Sequence, residues 1–267
     1  MKNILVLAHD DAGQEARFQA ALDVARAVGG HLTVVDVTLL PPAGDGYEVA
    51  AFGAAMIADE MVRERTNKTR LQERLGNGDV PWDWHDATGD FAGSIERAAS
   101  LSDLIVVNRK LDDFLGADMR ALAGKLAIKS NRPVLAVPQD VGGVDVRGRV
   151  LVAWDGSPAA DAALRAAVPL LQLAQSVTLF EIDDGSLRAP ASQAASYLSR
   201  HNIRAVVKRE AARLTRASAV LSSELTFTRP AYVVIGGYGH GRLTEALLGG
   251  VTRKLLTDSP VPVFMAH

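Results

Sequence analysis

Cysteine is absent from the 267 residues. That excludes a disulfide framework, a Cys-ligated zinc or iron–sulfur centre and a thiol nucleophile. It also suits a reducing compartment, and a cytoplasmic location is expected. Aromatics make up only 5% of the chain, so stacking platforms for nucleobases are scarce. Excess charge of either sign is missing: 29 Lys and Arg stand against 31 Asp and Glu, and no basic block stands alone. A nucleic-acid partner is therefore not expected. No apolar run approaches the ~20 residues of a spanning helix. The first one, residues 4–8, stops at His9-Asp10-Asp11, too short for a signal-peptide core and without a cleavage site, so no membrane partner is expected either. Apolar residues are plentiful at 48%, with a net charge of −2, which excludes disorder. The length fits one large domain or two of about 130 residues each.

The chain repeats itself. Ile4-Leu5-Val6-Leu7-Ala8 is matched by Val150-Leu151-Val152-Ala153-Trp154. Both are short apolar runs stopped by polar residues, the pattern of a strand buried on both faces. Each precedes an Ala-rich stretch, 14–28 and 158–173, with apolar residues every three or four positions, the period of a helix. Residues 32–37 match 177–182, 104–107 match 232–235, and 133–136 match 262–265. A third strand in each copy is expected near 80–85 and 203–208. The first copy carries a surplus around residues 41–78, where 56–75 has the pattern of a long helix. Residues 139–149, with three glycines and no periodicity, form the expected linker. Alternating strands and helices imply parallel sheets covered on both faces. The expected fold class is α/β: two doubly wound, Rossmann-like domains, 1–140 and 148–267, each with a five-stranded parallel sheet. Such sheets bind ligands at the carboxyl ends of their strands, near a topological switch point.

The most informative segment is Val233-Val234-Ile235-Gly236-Gly237-Tyr238-Gly239-His240-Gly241, continuing to Leu247-Leu248-Gly249-Gly250-Val251. A buried strand runs into a glycine-rich loop, and a second glycine pair opens a helix over about 251–256. Glycines let a phosphate approach backbone N–H groups with no Cβ in the way. A helix start adds unpaired N–H groups and the positive end of its dipole. A tight turn plus a glycine cap would give the same letters. The segment is neither a Walker loop nor a G-x-G-x-x-G after the first strand.

On these residues the chain resembles the universal stress protein family, over nearly its whole length and as two tandem copies. Nucleotide-binding members carry G-x2-G-x9-G-[S/T] after the fourth strand, and Gly236, Gly239 and Gly249 fit that spacing. Asp155-Gly156-Ser157 matches the family's end of strand one. The resemblance implies ATP as ligand, with or without magnesium, and a regulatory stress-response role. It implies that Asp155 contacts the ribose, that Ile182 offers its backbone to adenine, and that Gly236 lies by the ribose. Gly239, Gly249, Gly250 and Val251 would present N–H groups to phosphates. Position 250 is Gly where the family has Ser or Thr, so a hydroxyl is lost and weaker binding is expected; Thr252 or Thr244 could replace it. His240, Arg242 and Arg253 are the available cations.

In the first copy Asn108 and Leu111 replace the first two glycines, Asp112-Asp113 would repel phosphate, and strand one ends His9-Asp10-Asp11. This copy is expected not to bind ATP. Trp82 and Trp84 share a strand face and are expected to pack in the core or a domain interface; His85 is expected at a strand edge. Asp36 and Asp183 sit late in the second strand of each copy, where either could be a turn former; the charged run 63–74 has the look of a solvated helix face, and Met56 and Met61 of core residues. No Ser-His-Asp spacing, H-E-x-x-H or calcium-type carboxylate run is present. An ATP-binding regulator is the leading expectation, with an unidentified protein partner. A nucleotide-free interaction scaffold and a slow ATPase using His240 rank behind it. The two sheets are expected to pack as an intramolecular pseudo-dimer through the last strand of each copy, with a homodimer as a further option.

Overall fold

The computed structural model describes residues 1–39, 47–109, 119–212, 216–237 and 250–267. The first half runs β1 (Asn3–Ala8), α1 (Gln14–Val28), β2 (His31–Leu39), α2 (Tyr47–Gly76), β3 (Trp82–Gly89), α3 (Phe91–Ala98), β4 (Leu104–Asn108), α4 (Met119–Lys129) and β5 (Val134–Val137). The second runs β6 (Arg149–Trp154), α5 (Pro158–Leu171), β7 (Ser176–Asp183), α6 (Ala191–Ser199), β8 (Ala205–Ala211), α7 (Ala217–Thr228), β9 (Tyr232–Gly236), α8 (Gly250–Asp258) and β10 (Val263–Ala266).

The strands line up as β3-β2-β1-β4-β5-β10-β9-β6-β7-β8. Within each half all neighbours are parallel, in the expected doubly wound order. The halves do not stop at two separate sheets. Their last strands pair antiparallel, Val263 opposite Ala136 and Met265 opposite Val134, which fuses ten strands into one sheet. The carboxyl ends of the two halves consequently point to opposite ends of the molecule. Strand order reverses between β1 and β4 and between β6 and β9, so each half has one crevice at its switch point.

The central strands are buried on both faces because successive side chains point opposite ways. Ile4, Val6 and Ala8 join one core layer, and Leu5 and Leu7 the other. Helix α1 ends at Gly29 in the left-handed region (φ 56°), its N–H returning to the carbonyls of the last turn. Helix α5 starts with Ser157, whose hydroxyl accepts the Ala160 N–H at 3.2 Å, followed by Pro158 at the first turn.

Several expectations need correction. Helix α2 spans 30 residues from Tyr47, well ahead of residue 56. Its charged run is not a uniformly solvated face: Glu64 and Asn67 are buried. Met61 on the same helix is exposed, not core, while the Met56 side chain lies outside what is described. Asp36 is no turn residue; it sits buried inside β2. Two expectations stand: Trp82 and Trp84 pack half-buried against the core layer that holds Ile4, and His85 is exposed on edge strand β3. Among the described residues no helix is long and apolar enough to cross a membrane.

Candidate functional site

The second half's crevice begins where β6 hands over to Asp155. One oxygen of the Asp155 carboxylate accepts the Ser157 N–H at 2.9 Å, and its backbone carbonyl accepts the Arg188 N–H at 2.9 Å. Gly156 has φ 70°, and a Cβ there would stand 2.2 Å from the Ala189 nitrogen, so only glycine fits. The Trp154 indole N–H donates to the Ala189 carbonyl at 2.9 Å. Glu181, buried in β7, accepts the Ala191 N–H at 2.5 Å and holds Arg209 at 2.8 Å. These contacts pin residues 184–190 as a strap across the carboxyl ends of β6 and β7. Ile182, expected to offer its backbone to adenine, lies inside β7, opposite Glu210 and half-buried against the core.

Gly236 closes β9 on the other side of the switch point. A Cβ there would come within 2.5 Å of the Ala160 nitrogen and 2.7 Å of the Ala159 carbonyl carbon. The missing side chain thus lets β9 lie directly against the first turn of α5, a packing need independent of any ligand. Gly237 follows, its N–H donating to the Ala266 carbonyl at 2.8 Å. Gly239 and Gly249 lie outside the described residues, as do His240, Arg242 and Thr244. Gly250 and Val251 open α8; Gly250 is exposed, and a Cβ on it would meet nothing within 4 Å. Among the described residues the first-turn N–H groups of α8 have no intrahelical acceptor, and this end carries the positive end of the helix dipole. Thr252 is buried at 3% exposure, so its hydroxyl is not at the surface beside Gly250.

The first half fills the same place with side chains. Arg17 of α1 has 0% exposure. Its guanidinium donates to the Leu7 carbonyl, the His9 carbonyl, the Asp11 carboxylate and the Asn108 side-chain oxygen, each at 2.7 Å. Asn108 donates onward to the Gly13 carbonyl at 3.1 Å. From α2, Glu64 meets His9 Nδ1 at 2.7 Å and accepts the Asp10 N–H at 3.0 Å. Asn67 and Gln14 exchange side-chain hydrogen bonds at 2.7 and 2.8 Å. Asp36 lies beneath: burial first, then the nearby Glu64 and Asp86 carboxylates, push its pKa up to about 7. Glu64 goes the other way. Burial alone would raise it, but the hydrogen bond and charge of His9, the Asp10 N–H and Asn67 together hold it below the usual range.

Sequence reasoning named Asn108 only as a lost glycine and missed Arg17, Gln14, Glu64 and Asn67. One signal was available: Arg17 is a charge embedded among Ala16, Phe18, Ala20 and Ala21, where a buried cation needs several acceptors.

Comparison with solved structures places this architecture among known folds. A universal stress protein from Archaeoglobus fulgidus DSM 4304 superposes with TM-score 0.74 at 16% identity, over 99% of this chain and 95% of that one. A putative universal stress protein from Pseudomonas aeruginosa UCBPP-PA14 gives TM-score 0.60 at 16% identity, over 100% and 93%. A functionally unknown protein from Pseudomonas aeruginosa PAO1 gives 0.61 at 16% identity, over 100% and 92%. Neither a protein-family model nor a curated protein sequence matches the chain. The fold is the Rossmann-like α/β fold of solved universal stress proteins, shared across both halves.

Proposed function

We propose that this chain is a tandem universal stress protein that binds an adenine nucleotide in its second half only and acts as a regulator, with units 1–140 and 148–267 in a cytoplasmic setting. The observation that carries the reading is the contrast between the two crevices. In the first, Arg17, Asn108, Glu64 and Asn67 are buried and bonded to one another or to main chain, so their polar groups are already engaged among the described residues. In the second, Ala163 and Gly236 stand where Arg17 and Asn108 are, and the spacing Gly236, Gly239, Gly249 leads to a helix start with open space at Gly250.

The residues present fit a nucleotide with magnesium in kind. A triphosphate brings charge and acceptor oxygens. The N–H groups at Gly250 and Val251 supply donors without a side chain in the way, and Asp155 supplies a carboxylate for sugar hydroxyls. Bound nucleotide would change partner choice only through different affinities for two conformations. A specific observation favours the scaffold reading as runner-up: Gly156 and Gly236 are both required by packing, and the 184–190 strap is already latched beside Asp155. Calorimetric titration with ATP and magnesium decides between them. A saturable heat supports nucleotide binding; no heat and no thermal shift at millimolar ATP leaves the interaction scaffold.

A further inference from the structure

In the first half, the residue that follows the lost glycine reaches into the second half. Asn108 pairs with Val137 and Gly236 with Ala266 at the ends of the two fourth strands. The next residues make the same bond: Arg109 N–H donates to the Val137 carbonyl at 2.9 Å, and Gly237 N–H to the Ala266 carbonyl at 2.8 Å. Arg109 is thus the counterpart of Gly237, the glycine that enters the loop. Its side chain crosses the β5·β10 junction and donates to the Thr257 carbonyl, in the last turn of α8.

The antiparallel junction makes this reach possible. Because the halves point opposite ways, α8 starts at the carboxyl end of its own sheet and finishes beside the carboxyl end of the first. A guanidinium there satisfies an orphan carbonyl and neutralises the negative end of the helix dipole. The other end of the same nine-residue helix presents Gly250 and Val251. A short rod held at one end keeps its other end in register.

We infer that Arg109 is a positioning residue that anchors α8 from the opposite half, so that the first copy, having lost its own glycine loop, sets the geometry of the second copy's anion-binding helix start. The inference takes its ligand from the nucleotide reading above; the anchoring itself does not depend on it.

The experiment has two readouts on the full chain. The first is hydrogen exchange of the α8 amides in nucleotide-free protein. The second is the affinity for ATP with magnesium. Arg109→Ala is expected to speed α8 exchange and weaken ATP three- to tenfold, and Arg109→Lys, which keeps the charge, to restore most of both. Arg26→Ala is the control, since Arg26 pairs with Asp79 beside the outer edge strand β3, at the far edge of the sheet from α8. Should Arg109→Ala fold poorly, Arg109→Gln keeps a donor without the charge and is expected to fall between Ala and Lys. Unchanged α8 exchange in Arg109→Ala overturns the anchoring, as does an equal effect from Arg26→Ala. Faster exchange with unchanged ATP affinity overturns the coupling to the ligand. A wild-type chain that gives no ATP heat overturns the nucleotide reading, and exchange still decides the anchor.

Discussion

The two crevices at the switch points share a scaffold and differ in how they are finished. Counting on from the equivalent strand ends Ala8 and Trp154, Arg17 corresponds to Ala163 and Asn108 to Gly236. The first half spans the gap between strand end and helix with a large cation and an amide. The second removes both side chains and brings backbone against backbone. Asp36 and Glu181 are also equivalent, each opposite the last residue of its first strand. Glu181 receives a helix N–H and Arg209, whereas Asp36 has a side-chain oxygen with no hydrogen-bond partner among the described residues. The first crevice is therefore not simply the second without its glycines: a self-complementary polar network occupies the place.

The comparison can be broken most forcefully at Arg17. Arg17→Leu leaves the Asp11 carboxylate and the Asn108 side chain buried without their cation, and a loss of about 3–5 kcal/mol is expected. A urea-unfolding loss below 1 kcal/mol would mean that the network is dispensable.

Asp36 tests the same network through pH. Its folded-state pKa of about 7 lies above the ordinary 3.8, so the native state holds the proton more tightly than the unfolded chain. Stability should fall as pH rises from about 4 to about 7 and level off above. Asp36→Asn, which cannot ionise, should gain on the order of 2–4 kcal/mol over wild type at pH 8 and little at pH 4. Parallel stability–pH curves for the two proteins would contradict the assignment.

The second crevice is probed by restoring a side chain. Gly236→Ala drives a Cβ into the α5 backbone and should cost about 1–3 kcal/mol by thermal or chemical unfolding. A neutral outcome would show that β9 and α5 can separate. The smallest expected effect is Gly250→Ser, which adds a hydroxyl where there is space. Under the proposed nucleotide reading it should tighten ATP by the ~0.5–1.5 kcal/mol of one hydrogen bond. Identical titration curves would remove the hydroxyl from the account.

How much could be seen beforehand follows from the range of each interaction. Strands such as 4–8 and 150–154 announce themselves because burial on both faces demands a continuous apolar run. The offset between the copies is visible because both repeat the same order of runs. Gly236 was visible as a letter but not as a cause, since only the proximity of Ala159 and Ala160 explains it. Glu64 and Asn67 were misassigned because a mixed-charge helix has the same pattern whether its polar side meets water or a buried partner 53 to 54 residues away. Arg109 carried no signal at all, its partner being 148 residues distant.

The order of letters alone determined a doubly wound parallel topology, its duplication and the position of a glycine-rich segment after the fourth strand of the second copy. Those rest on local periodicity and on glycine spacing, which a linear chain displays directly. The assembled fold decided that the halves merge through β5 and β10, that the first crevice is closed by its own polar residues, and that α8 is tethered from across the junction. These depend on groups distant in the chain meeting in space, where desolvation makes each buried donor or charge find a partner that no short window of sequence contains.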